Sequence, residues 1–441
     1  METLQRSANA GSISTASYDV DNSVKLQTAA VNSEFFNYTI SSAGSRTKGT
    51  VSMWIKRSSL GTVQYLWEQG NTDNDNGRLF ARFLADDTLR LAGGSTVFLN
   101  TNRVFRDTSA WYHIVVAIDT TSGTANNRAR IYVNGVEETS FGTRNNFSLN
   151  DVTGMNFEKQ HIGLSVVDES SFQSFNGYMA EVFGADGLVY AASDFGEFDS
   201  SGIWKPIDIT GLSVGTNGFL MKFENAGSMG ANSAGSGHGF SVQNINQNDQ
   251  ATDTPTNSFC TLNPLYAMTY PLTISEGGTK SVASGAVAQW QSAKGSMAVN
   301  NGKWYWETSN FTEMNTFIGL QSADLNGVYN GAYTLNVPLN DNNLYFSDPS
   351  NRSEGFTTTK ATSDVWGLAL NMDDGQLSVY RNGTLQNATV SIDGLIGNGP
   401  YTPIISQYAS ATNASTNFGG YNSGKAISSA ASDGNGYGTF E

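Results

Sequence analysis

The chain has little of what staples or stiffens a protein. Of its 441 residues one is cysteine, Cys260, and 8 are proline. A single thiol excludes an intrachain disulfide, so packing or assembly must supply stability. Histidine is limited to His113, His161 and His238; with no HExxH spacing or close pairing, they argue against a zinc centre. No stretch approaches the ~18 apolar residues of a membrane-crossing helix, so membrane insertion is not expected. The opening METLQRSANAGSIS lacks the basic and apolar regions of a secretory signal, and synthesis in a cytoplasm without ordinary export is expected. Basic residues are scarce, 24 Lys and Arg against 39 Asp and Glu, for a net charge of -15. The acidity is evenly spread, because residues 1–250 hold 17 basic against 25 acidic side chains and residues 251–441 hold 7 against 14. With no basic stripe to neutralise phosphates, nucleic acid is not an expected partner.

What is abundant is glycine, 47 residues, with Asn, Ser and Thr crowding the segments between apolar runs. That mixture favours many short strands and tight turns. One phrase occurs twice: IYVNG, Ile131 to Gly135, returns as VYRNG, Val379 to Gly383. Asn-Gly supplies the positive φ values of a two-residue hairpin turn, so each copy predicts a hairpin. Upstream of each stands a tryptophan opening an alternating apolar run that ends at aspartate, WYHIVVAID from Trp111 and WGLALNMD from Trp366. The repeat predicts two β-domains of related architecture.

Along the chain, residues 1–20 read as an N-terminal arm. Residues 21–200 read as strand-like runs separated by turns, including TVSMWIKR from Thr50, the hairpin RLFARFLADDTLRLAGG turning near Asp86 and Asp87, and FNGYMAEVFGAD from Phe175. Residues 201–269 are rich in Gly, Asn and Ser and read as an irregular connector with at least one strand, Gly218 to Glu224. A second set of strands fills residues 270–420. Residues 421–441 form a low-complexity tail.

The first set of strands resembles the laminin-G-like or concanavalin-A-like lectin and glucanase sandwich, in TVSMWIKR, WYHIVVAID, RIYVNGVEE and FNGYMAEV taken in order. The second resembles a SPRY/B30.2 domain, in GKWYWET (Gly302 to Thr308), FIGL (Phe317 to Leu320), VWGLALNMDDG (Val365 to Gly375) and LSVYRNG (Leu377 to Gly383). The resemblances imply an all-β protein of two jelly-roll-like antiparallel sandwiches, with the repeated phrase marking equivalent strands. Asn134 and Asn382 are then turn residues rather than ligand contacts, and Trp304, Trp306 and Trp366 belong to the core. The combination of the two domains also resembles virion surface proteins of tailed bacteriophages, especially marine ones.

Catalytic residues are not evident. Glycoside hydrolases that resemble the first sandwich carry Glu-x-Asp-x-x-Glu on one strand, which places nucleophile and acid on one face. The nearest text here, GEFDSSG from Gly196, has Glu197 and Asp199 but Gly202 where the second glutamate would stand. His113 lies within a strand and reads as solvated or core-packed. Cys260, without a neighbouring base, reads as inert. No cofactor is expected. A structural calcium ion is compatible with acidic turns such as NTDNDNG (Asn71 to Gly77), which define no complete ligand set.

Binding is the remaining chemistry. Sugar recognition uses aromatic faces with Asn, Asp and backbone groups for the hydroxyls. The stretch from Ser322 to Phe356 fits that recipe, and Tyr329, Tyr333, Asn342, Asn343 and Tyr345 are its candidate ligand-binding residues. The expected function is therefore a non-enzymatic phage virion surface protein, a capsid-fibre, decoration or tail-fibre component, assembled in the host cytoplasm. Its expected partners are other virion proteins and a host-surface glycan or protein, and a homo-oligomer such as a trimer is compatible with the resemblance. A purely structural decoration or cement protein is the alternative; a glycan-cleaving enzyme ranks behind both.

Overall fold

Val51, Met53 and Ile55 alternate with Ser52, Trp54 and Lys56, and a strand sends those two sets to opposite faces. In the computed structural model the first set is buried in a core between two sheets, but Ser52, Trp54 and Lys56 are buried as well. The structure describes residues 18–28, 33–70, 77–165, 173–266, 269–286, 288–324, 334–339, 343–347, 353–355, 360–386, 390–392, 399–408, 412–421, 431–432 and 438–440. The chain divides into two compact units, Ala10–Asn257 and one built on Ser258–Glu441. Both are all-β and antiparallel, and no α-helix occurs among the described residues.

The strands of the first unit are β1 Ser23–Leu26, β2 Phe35–Thr39, β3 Lys48–Arg57, β4 Gln64–Gly70, β5 Arg78–Phe83 and β6 Thr88–Gly93. Next come β7 Thr96–Val104, β8 Tyr112–Asp119, β9 Ala129–Val133, β10 Val136–Glu137, β11 Phe141–Arg144, β12 Lys159–Ile162 and β13 Gly177–Asp186. Five short ones follow: β14 Gly196–Phe198, β15 Trp204–Pro206, β16 Phe219–Met221, β17 Ser241–Gln243 and β18 Gln250–Ala251. One sheet runs β10-β9-β8-β3-β13-β1-β18 with β16 also on β13, and the other runs β11-β7-β6-β5-β4-β12-β2-β17. Their facing side chains, among them Met53, Ile114 and Met179 from the first and Leu66, Trp67, Leu79 and Leu91 from the second, form one core.

The text from residue 201 onward reads as a connector, yet up to Asn257 it is part of this unit. β16 and β18 extend the first sheet, β17 edges the second, and Phe195, Ile209 and Val214 cover the outer face of the first sheet over Val115, Ala117 and Phe183. Charge explains the attachment. Lys25 and Lys56, on that outer face, are fully buried, and a buried ammonium is tolerated only when paired. Lys25 Nζ meets Glu34 and Asp249, both at 2.8 Å, and Lys56 Nζ meets Asp253 Oδ2 at 2.7 Å. The other oxygen of Asp253 accepts from Trp111 Nε1 at 3.0 Å. Tyr18 and Val20, read as part of an arm, are also packed here, with Val20 N donating to Thr256 Oγ1.

The second unit has β19 Thr273–Ser275, β20 Lys280–Val282, β21 Trp290–Lys294, β22 Lys303–Ser309, β23 Thr316–Ser322, β24 Thr334–Pro338 and β25 Asn343–Ser347. It continues with β26 Ser353–Gly355, β27 Trp366–Asn371, β28 Gln376–Arg381, β29 Thr384–Leu385, β30 Val390–Ser391, β31 Tyr401–Tyr408 and β32 Asn413–Asn417, before a terminal pair, β33 Ala431–Ser432 and β34 Thr439–Phe440. Its sheets run β19-β20-β32-β22-β27-β28-β29, with β30 on β28, and β21-β31-β23-β24-β25-β26. Trp306, Leu368 and Val379 face Ile318, Leu320 and Ile405 across the core, and Trp366 is fully buried.

The repeated phrase does the same work in both units. Asn134 and Gly135 have φ of 47° and 80°, and Asn382 and Gly383 have 48° and 73°, the paired positive values of the expected turn. Each asparagine also clamps the neighbouring strand. Asn134 Oδ1 accepts from His113 N at 2.7 Å while Asn134 N donates to His113 O at 2.9 Å; Asn382 does the same to Val365, at 2.8 Å for each bond. Asn134→Gly and Asn382→Gly keep the backbone freedom and lose only side-chain bonds, including at Asn382 the one from Nδ2 to Asp364 Oδ1 at 3.1 Å, so each should cost about 1–3 kcal/mol in chemical denaturation of the full chain. A loss within error at both sites would show that the turn alone matters. Asp253→Ala should cost more, about 3–5 kcal/mol, because it removes the carboxylate that pairs with buried Lys56 and accepts from Trp111 Nε1; a shift below ~1 kcal/mol would refute that role for the pair.

Candidate functional site

Of the residues expected to bind ligand, Tyr329, Tyr333 and Asn342 lie outside the described residues. Asn343 and Tyr345 are on β25, where Tyr345 pairs with Asn336 of β24 and Ser353 of β26, and Asn343 pairs with Gly355. The acidic turn 71–76 weighed for calcium also lies outside. Among the described residues no cluster of three His, Cys, Asp or Glu side chains could hold a metal ion.

A different surface emerges on the first unit, on the outer face of its second sheet. Directly opposed residues of an antiparallel sheet share a face, so the strand registers give the layout. One row crosses β4 to β7 as Tyr65, Arg82, Arg90 and Asn100. The next crosses β12 to β6 as His161, Glu68, Phe80 and Ala92. A third holds Lys159, Gly70 and Arg78. No run of basic residues announces this face, yet the pleat gathers Arg78, Arg82 and Arg90 upon it.

Two of the three guanidiniums, those of Arg78 and Arg82, lie over aromatic rings. Arg82 sits 5.1 Å from the centroids of both Tyr65 and Phe80, and Arg78 sits 5.0 Å from Phe80, which accounts for the burial of those rings on an outward face. Arg82 Nη1 donates to Tyr65 Oη at 2.6 Å, and Arg90 Nε donates to Asn100 Oδ1 at 3.1 Å. The one acidic side chain in these rows, Glu68, is fully buried and ion-paired with Arg78. His161 beside it is neutral, its pKa lowered to about 4 chiefly by burial. Among the described residues of these rows no pair of free carboxylates stands ready to act as nucleophile and acid.

Two further groups merit weighing as chemistry. His113 accepts from Trp204 Nε1 at Nδ1, 3.0 Å, and therefore presents its Nε2 proton to Ser52 Oγ at 2.8 Å. Burial lowers its pKa to about 3, so it is a neutral core histidine. Glu181 occupies a bulge in β13 with φ of 44° and is buried. Tyr18 Oη donates to its carboxylate, and Lys222 and Glu224 pair nearby at 3.1 Å. Burial raises the Glu181 carboxyl to about 7, against the lowering effect of the tyrosine bond.

Residues 29–183 match the family model described as the Concanavalin A-like lectin/glucanases superfamily; the arginine-bearing strands fall within that span. Among solved structures, the chain is similar to the native heptameric SAP-like pentraxin from Limulus polyphemus, with 15% identity, covering 40% of this chain and 80% of that one, at a TM-score of 0.31. It is also similar to the SPRY domain of human HERC1, with 16% identity, covering 36% of this chain and 97% of that one, at a TM-score of 0.29. The TRIM65 PSpry domain gives 13% identity, 36% and 88% coverage, and a TM-score of 0.29. No curated protein matches the sequence.

The Glu181 site has a measurable signature. With its folded pKa above that of the unfolded chain, Glu181 contributes stability that is complete below pH ~4.5 and is lost as the pH rises through about 7. Glu181→Gln stays neutral, so the difference in unfolding free energy between wild type and variant should shrink or change sign by about 3 kcal/mol across that window. A pH-independent difference would place the Glu181 pKa near the ordinary carboxylate range.

Proposed function

We propose that the protein is a non-enzymatic binding protein of a tailed-phage virion surface, a capsid-fibre, decoration or tail-fibre component that contacts a host-surface glycan or protein. The observation that carries the binding role is the outer face of the second sheet in the first unit. There Arg82 stands over Tyr65 and Phe80, Arg90 lies directly opposite it, and Glu68, the one carboxylate in these rows among the described residues, is engaged by Arg78. A pleated sheet holds such side chains in a fixed array, which lowers the ordering cost of capture. A retaining glycosidase needs a pair of carboxyl groups about 5 Å apart, and among the described residues of these rows Glu68 is the one carboxylate. The virion setting rests on the order of the two sandwiches along the chain and on their resemblance to phage surface proteins. A structural calcium ion and a trimeric assembly belong to the same proposal.

The test is binding of the purified full chain to candidate host cells and to a glycan array, with Arg82→Ala in the first unit and Tyr345→Ala in the second. Saturable binding that falls ~10-fold or more in Arg82→Ala is expected, the loss of one charged hydrogen-bonding contact. Loss in Tyr345→Ala alone would move the site to the second unit. No binding by a protein that still adds to purified particles would leave a structural decoration protein, and release of reducing ends from a bound glycan would make it an enzyme.

A further inference from the structure

The first unit contains two arrangements of paired arginines, and the difference between them is informative. Arg57 and Arg106 share one carboxylate, Asp87, at 3.1 and 3.0 Å from its two oxygens. Their charges are balanced by a residue of the chain. Arg82 and Arg90 are directly opposed on neighbouring strands, the placement in which like charges are destabilising. No carboxylate bridges them among the described residues. Asp86 acts on Arg90 as an opposing charge without an ion-pair contact, its Oδ1 accepting from the backbone N and Oγ1 of Thr88 at 3.0 and 2.6 Å. Arg82 Nε is buried without a hydrogen-bond partner, and the proximity of Arg82 adds to burial in lowering the pKa of Arg90. Asn100 and Tyr65 orient the two guanidiniums from either end of the row.

We infer that Arg82 and Arg90 form an anion-binding pair completed by a ligand, and that the ligand is an acidic polysaccharide presenting a carboxylate or sulfate ester. This rests on the binding role proposed above and names its chemistry. Arginine suits the task because its planar fork matches a two-oxygen acceptor, and the Tyr65 and Phe80 rings beside Arg82 help to hold its guanidinium in place. The row from Tyr65 to Asn100 spans three strand spacings, about 14 Å, an open surface suited to a few sugar rings. A peptide would instead favour a sheet edge, where main-chain bonds are free. The chain's net charge of -15 opposes polyanions at long range, so a heavily sulfated chain, with more than one charge per sugar, is disfavoured.

The experiment compares the full chain with Arg90→Gln and Arg82→Lys for binding to polygalacturonate, its fully methyl-esterified form, a sparsely sulfated galactan, neutral dextran and polyglutamate. Binding to polygalacturonate or to the sulfated galactan, with a loss of ~10-fold or more in both variants, is expected, since each removes a charge-assisted fork. Which of the two polymers binds identifies the anionic group. The ester should not bind. Thermal unfolding supplies the second readout: relief of like-charge repulsion should leave Arg90→Gln at least as stable as the parent, whereas a clear drop in melting temperature with the loss of binding would overturn the inference in favour of a structural pair. Equal binding of acid and ester, unchanged affinity in both variants, or preference for polyglutamate would also overturn it. Host-cell or dextran binding would in those cases leave the broader binding role standing; its absence as well would remove both.

Discussion

Two buried ammonium groups organise the first unit. Lys25 and Lys56 sit on the outer face of a sheet whose inner face already packs against the core, and neither reaches solvent. Isolated charges in that position would be prohibitive. The remedy is supplied from far along the chain, by Asp249 and Asp253, with Glu34 as a local partner. In the same unit β16 and β18 pair with the first sheet, and the apolar residues around Phe195 and Ile209 cover its outer face. A sandwich of two layers thereby gains a third.

The two units share a device as well as a class of fold. In each, a turn asparagine takes a positive φ and reaches across to the backbone at the start of the tryptophan strand. Asparagine is suited to both demands, since its short amide tolerates the left-handed region and carries an acceptor oxygen. Glycine would meet the first demand and fail the second.

The hairpins, the strands named from their alternation and the core positions of Trp306 and Trp366 were legible because each follows from a local period or a turn dipeptide. The attachment of residues 201–257 was not. Its residues are those of a loop, and the signal that binds it to the sheet is the pairing of Asp249 and Asp253 with lysines about two hundred residues earlier. The arginine face lay half in view. Arg78, Phe80 and Arg82 repeat at a spacing of two, which places them on one side of β5, but the opposition of Arg82 to Arg90 depends on the register of β5 against β6. The binding surface expected from Tyr329, Tyr333, Asn342, Asn343 and Tyr345 follows composition alone; the described residues put Asn343 and Tyr345 on adjoining positions of one strand face and leave the others outside.

By itself, then, the sequence determined the all-β class, the two hairpins that mark equivalent strands, and the lack of disulfides, because these depend on residue type and short-range spacing. Only the tertiary structure decided which charges are neutralised inside and which are held apart on a surface. Coulombic pairing acts through space at a few ångströms, and no local pattern records which distant carboxylate reaches Lys56 or that none bridges Arg82 and Arg90 among the described residues.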